Sequence, residues 1–200
     1  MAITINGTGT ITGVTVGGLP DSIVDTDMLA ANAVTAPKIG TNTFTSYAII
    51  CDEKPQGTAG GTFTESAWRT RDLNTEISDT DGIVSISDND FTVQAGTYLI
   101  RASAPAKKAT VHQIALFDVT NSTTIQYGTN ELAHITYLGS TRSFLTAKFT
   151  TAAAKTLRIR HFSSHTVATE GFGGAFNATD TSDSGSGDGI YTIVEIYKEA

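Results

Sequence analysis

An all-β sandwich is the fold class this sequence predicts, and three observations predict it. Threonine occurs 34 times, and its β-branched side chain is stiff in helices and suits a pleated surface. Charged residues make up only 16% of the 200 positions, while glycine occurs 19 times. That is poor material for surface helices, which draw on Glu, Lys and Arg. From residue 46 onward, apolar segments of strand length recur between turn signals, and about ten short strands at roughly ten-residue spacing point to a sandwich or jelly roll.

The elements follow in chain order. Residues 1–20 alternate apolar and small polar positions through Ile3, Ile5, Ile11, Val14 and Val16, the period of an extended arm. Such an arm cannot bury its one apolar stripe alone and needs another chain or protein beside it. Residues 21–45 hold a short repeat, Val24-Asp25-Thr26-Asp27-Met28-Leu29 followed at a spacing of ten by Val34-Thr35-Ala36-Pro37-Lys38-Ile39. Two units with so few apolar residues build no core of their own. They are either a flexible linker or a stem in which identical chains pair Val24, Met28, Leu29, Val34 and Ile39.

Residues 46–200 carry the sandwich. Strands are expected at 46–51, 63–69, 83–87, 90–94, 97–103, 111–119, 123–127, 131–137, 142–150, 156–162, 171–177 and 190–198. The breaks fall at Lys54-Pro55-Gln56-Gly57, Asp79-Thr80-Asp81-Gly82, Ala95-Gly96, Asn121-Ser122 and Asp188-Gly189, all rich in turn formers. Alternation sets Val111, Gln113, Ala115, Phe117 and Val119 on one face of their strand, with His112, Ile114, Leu116 and Asp118 on the other.

Composition excludes several functions. The net charge is −7, which argues against nucleic-acid binding through displaced counterions. No apolar run approaches the roughly 20 residues of a membrane-spanning helix, so membrane insertion is not expected. No basic segment followed by an apolar block opens the chain, so no signal peptide is expected either. The single Cys51 follows Ile49 and Ile50 and reads as a packed thiol, leaving no disulfide framework.

Motifs of catalysis are missing. NGTGTITG places Thr12 where a dinucleotide fingerprint needs its third glycine. His161 and His165 have helical metal-pair spacing but fall in strand and loop context, and His112 and His134 stand apart, so all four histidines read as structural or surface groups. Glu65, Glu131, Glu170 and Glu195 show no pairing that would make a glycosidase. No catalytic residue is assigned. Trp68 with Arg69 and Arg71 has the makings of a contact to a sugar ring or an acidic group, although a Trp on an alternating strand usually packs into a core or interface.

GTAGGTFTESAWRTRDLNT (57–75), FTVQAGTYLIRASAPA (91–106), VHQIALFDVT (111–120), GFGGAF (171–176) and the closing IYTIVEIYK (190–198) follow one another in a recognisable order. Together they resemble the complement-type, tumour-necrosis-factor-like jelly roll of bacterial and bacteriophage proteins. GLPDSIVDTDMLAANAVTAPKI (18–39) looks like the stem of a phage fibre.

The resemblance implies a homotrimer of ten-stranded sandwiches with the arm leaving from one end, and no catalytic residues. The fold transfers better than the role; the leading reading is a non-enzymatic virion protein on the outside of the particle, a tail fibre whose arm docks on other virion proteins and whose head grips a host surface glycan or protein. Attachment would use loops at the far end, at 104–110, 118–130, 163–170 and 177–189. The alternatives are a capsid decoration or head-fibre protein, and a bacterial trimeric lectin-like surface module. Relatives of this fold often hold calcium near the trimer apex, and Asp180, Asp183 and Asp188 are the donors here, although their spacing departs from the EF-hand loop.

Overall fold

The computed structural model describes residues 44–136, 139–175 and 188–199. The arm positions Ile3, Ile5, Ile11, Val14 and Val16, the stem positions Val24, Met28, Leu29, Val34 and Ile39, and the aspartates Asp180 and Asp183 lie outside the described residues.

Among the described residues the chain forms twelve strands. They are β1 (Phe44–Lys54), β2 (Arg69–Thr70), β3 (Thr75–Asp79), β4 (Val84–Ser87), β5 (Asp90–Val93), β6 (Gly96–Lys107), β7 (Thr110–Asp118), β8 (Thr123–Tyr127), β9 (Glu131–Ala133), β10 (Ser140–Thr151), β11 (Lys155–Ser163) and β12 (Gly189–Glu199). One sheet runs β10-β6-β12-β1-β3; the other runs β4-β5-β11-β7-β8, with β2 pairing β11 and β9 pairing β7. Every ladder is antiparallel. The long pairings nest: β1 with β12, β5 with β11, β6 with β10, β7 with β8. Nested antiparallel pairing over two sheets is the jelly roll, as expected.

The core lies between the sheets. Ala48, Ile50, Tyr98, Ile100, Leu145, Val194 and Ile196 from the first sheet meet Phe91, Val93, Ile114, Leu116, Leu157 and Ile159 from the second. On β7 the inward face is the one with His112, Ile114, Leu116 and Asp118, all buried, while Val111 is exposed. The alternation was legible in the sequence; its inward side was not, because a histidine and an aspartate belong to it.

Registers fix the two ends of the sandwich. Phe44 pairs Glu199 and Gly96 pairs Thr151 at one end, while Lys54 pairs Gly189 and Lys107 pairs Ser140 at the other. The β6–β7 turn and residues 164–175 therefore sit at the end remote from Phe44. The expectation that all attachment loops share that end is corrected for 119–122. This β7–β8 turn lies at the Phe44 end, because β7 runs back toward it.

Three expected strands also change. Residues 63–69 contribute one antiparallel bridge, Phe63 to Val167, and the first residue of β2. Ser66 at φ 60° breaks the extended path. The described part of 171–177, residues 171–175, is turn and irregular backbone, with Gly173 at φ +143°. The strand expected at 131–137 ends at Ala133.

Candidate functional site

Three clusters of polar or uncovered side chains stand out from an otherwise ordinary sandwich. The first is a buried polar knot at the end remote from Phe44. Arg71, just past β2, is fully buried. Its Nε donates to Thr192 Oγ1 at 2.8 Å and its Nη2 to the Phe172 carbonyl at 2.9 Å, and its guanidinium lies 4.1 Å over the Phe172 ring. Asp52 Oδ2 is 4.0 Å from Nη2, and Lys54 Nζ is 3.0 Å from Asp52 Oδ1 and 2.7 Å from Asp72. Burial pulls the guanidinium down to about 9, still charged at neutral pH, and pushes the Asp52 carboxyl up.

Behind Arg71 sit two buried histidines. His112 Nδ1 is 2.9 Å from His161 Nε2, and His112 Nε2 is 2.8 Å from Thr141 Oγ1. His161 Nδ1 is enclosed without a partner. An orphaned lone pair is easier to tolerate than an orphaned N–H. The proton therefore belongs on His161 Nε2, which donates to His112 Nδ1, while His112 Nε2–H donates to Thr141. The His161 ring stacks on Phe172 at 6.2 Å and meets Phe63 at 4.7 Å. Sequence spacing linked His161 to His165; the fold pairs it with His112 instead, because β11 and β7 are neighbours.

The second cluster is the outer face of the five-stranded sheet. Cross-strand rows place Phe144, Ser103 and Ile193 side by side, then Thr146, Arg101 and Glu195, then Lys148, Leu99, Tyr197 and Tyr47. The rings of Phe44 and Tyr47 lie 5.1 and 5.0 Å from Tyr197. Phe144 is 55% exposed, and a shallow groove of about 240 Å³ runs between Arg101, Phe144, Ile193 and Glu195.

The third cluster is on the outer face of the seven-stranded sheet. Trp68 is half-buried, 5.8 Å from Tyr127 and 5.7 Å from Phe162. Arg160 stacks 3.7 Å over Phe117 and 5.3 Å from Trp68. The partners expected for Trp68 are therefore replaced: Arg71 is locked in the interior, Arg69 turns back toward the Thr64 carbonyl, and Arg160 takes the place beside the indole. Arg160 lies 92 positions away, and only the β11–β2 pairing brings it close.

The remaining candidates stay apart. Glu170 pairs with Lys107 at 2.8 Å, Glu195 faces Arg101 at 3.9 Å, and Glu131 accepts from Thr129 Oγ1. Cys51 is buried and its thiol is pushed up to about 11 by that burial, as expected of a packed cysteine. Asp188 is exposed, and among the described residues no three His, Cys, Asp or Glu side chains converge on a metal position.

The nested pairing defines the class of protein, a two-sheet jelly roll. Similar solved structures include the globular domain of a zebrafish complement 1qA protein, 13% identical, covering 78% of this chain and 97% of that one at a TM-score of 0.45. Murine APRIL at pH 5.0 is 8% identical, covering 76% of this chain and 98% of that one at a TM-score of 0.48. No family model matches the sequence, and no curated protein does.

Proposed function

We propose that this chain is a non-enzymatic, homotrimeric attachment module on the outside of a bacteriophage particle. Residues 1–20 dock on other virion proteins, 21–45 form the trimeric stem, and 46–200 present the head to a host surface glycan or protein. The observation that carries the reading is the outer face of the five-stranded sheet. An antiparallel sheet with one solvated face normally alternates apolar-in, polar-out. Here the outward rows carry Phe144, Ile193, Leu99, Tyr197 and Tyr47. Further copies of the same chain are the occupants that fit, because closed symmetry covers such a face on every copy at once. Threefold presentation then turns weak single contacts into useful avidity.

The expected native mass of the full chain is three times 21.0 kDa. A mass of one chain across the micromolar range removes the trimer and with it the avidity argument. Copy number on the particle separates the two virion readings. A few dozen copies fit a tail or neck fibre, and hundreds fit capsid decoration.

A further inference from the structure

Three cations lie along β11, and two of them have carboxylate partners. Lys155 pairs with Asp118, and Arg158 grips Asp90 with Nε and Nη2 at 2.5 and 2.8 Å. Arg160, next on the outward face, has no carboxylate partner among the described residues. Its Nη2 reaches Thr124 Oγ1 at 3.4 Å, and its Nε is enclosed with no partner. The guanidinium lies over the Phe117 ring with Trp68 nearby, which fixes its position; the enclosed Nε is out of a ligand's reach, so the donors left for a partner are those on Nη1 and Nη2. A guanidinium that has lost part of its hydration to burial is stabilised by an anion that completes it.

The surrounding groups say what would complete it. Tyr127 is 52% exposed and leans on Trp68, which in turn leans on Phe162. Neither the Trp68 indole N–H nor the Tyr127 hydroxyl has a hydrogen bond among the described residues. Ring faces take the apolar C–H face of a pyranose, the two free polar groups suit its hydroxyls, and a flat guanidinium takes a carboxylate through two parallel bonds.

We propose that Trp68, Tyr127 and Arg160 form a binding site for a carboxylate-bearing saccharide, a uronic acid. This deepens the attachment reading and rests on it for its biological sense. The site lies on the seven-stranded sheet, opposite the one assigned to self-association.

The chain has one tryptophan, so its fluorescence reports on this site alone. The full-length protein is titrated with oligogalacturonate, with the carboxyl-reduced oligosaccharide and with a poly-glutamate peptide. The expected result is a saturable change with oligogalacturonate and a response at least about tenfold weaker to the reduced sugar, the scale of a lost charged hydrogen bond. Arg160→Gln weakens the acidic sugar to the level of the reduced one, Arg160→Lys recovers part of the loss, and Tyr127→Phe weakens both sugars slightly.

No saturable change, equal responses to both sugars, equal binding of poly-glutamate, or unaltered binding by a folded Arg160→Gln each overturns the site. Native mass and competition for host adsorption on the same sample keep the two readings apart. A trimer that competes while Trp68 stays silent removes this site and leaves the attachment reading standing.

Discussion

The His112–His161 contact is a residue-scale commitment to neutral imidazoles. Burial lowers both, His112 to about 4 and His161 well below its usual value. The charged group facing both is Arg71, which opposes protonation, while Glu131 favours it at His112 only. In the unfolded chain both titrate near pH 6.5. Below that pH the unfolded state binds protons that the folded state refuses, so stability falls as pH falls from 6.5 toward 4, and it is fully present above 6.5. The slope approaches roughly 1.4 kcal/mol per pH unit for each histidine. Between pH 7.0 and 5.0 most carboxylates stay ionised, so the urea midpoint should drop over that interval, and His112→Gln should show a shallower drop. A midpoint that is flat from 7.0 to 5.0 contradicts the neutral pair. The pair was not legible in the sequence. His112 and His161 are 49 residues apart, and nothing local marks either as buried.

At the scale of elements, the segments that failed as strands are the ones that close the far end. Residues 60–63 and 167–173 exchange backbone bonds without regular pairing: Gly60 N to Gly173 O, Phe172 N to Gly61 O, Phe63 N to Val167 O. Glycine permits it. A Cβ on Gly173 would lie 2.3 Å from Tyr191 Cδ1, and Tyr191 is pinned by its hydroxyl to the carbonyls of Thr58 and Gly174. Gly173→Ala should therefore cost roughly 2–3 kcal/mol, overpacking plus a left-handed φ. Gly82→Ala, at φ +63° with open space around it, should cost only about 1 kcal/mol. Equal urea midpoints for the two variants would mean that the close approach at Tyr191 is not felt. The strands that were legible, β6, β7, β10, β11 and β12, are long and alternate. β3 was missed because Glu76 and Ile77 are both exposed, so an edge strand with no buried face leaves no period to read. Conversely, GFGGAF looked extended because its phenylalanines alternate with glycine, yet those glycines serve close approach.

At the scale of the whole molecule, association and folding draw on different faces. The core between the sheets is complete in one chain, whereas Phe144 is more than half exposed. Phe144→Asp should therefore leave the fold intact while weakening self-association, seen as a fall in native mass with an unchanged far-ultraviolet spectrum. A variant that keeps its assembly shows that the outward rows are not the contact. By itself the sequence determined the class: threonine and glycine against few charges, alternating segments and turn residues at their breaks all act locally, through backbone sterics and side-chain period. Only the tertiary structure decided which face of each strand turned inward, which histidine met which, and that Trp68 would lie beside Arg160 rather than Arg71. Those outcomes depend on which strands become neighbours, and contacts across 49 or 92 positions are set by the nesting of the whole sandwich rather than by any window of the chain.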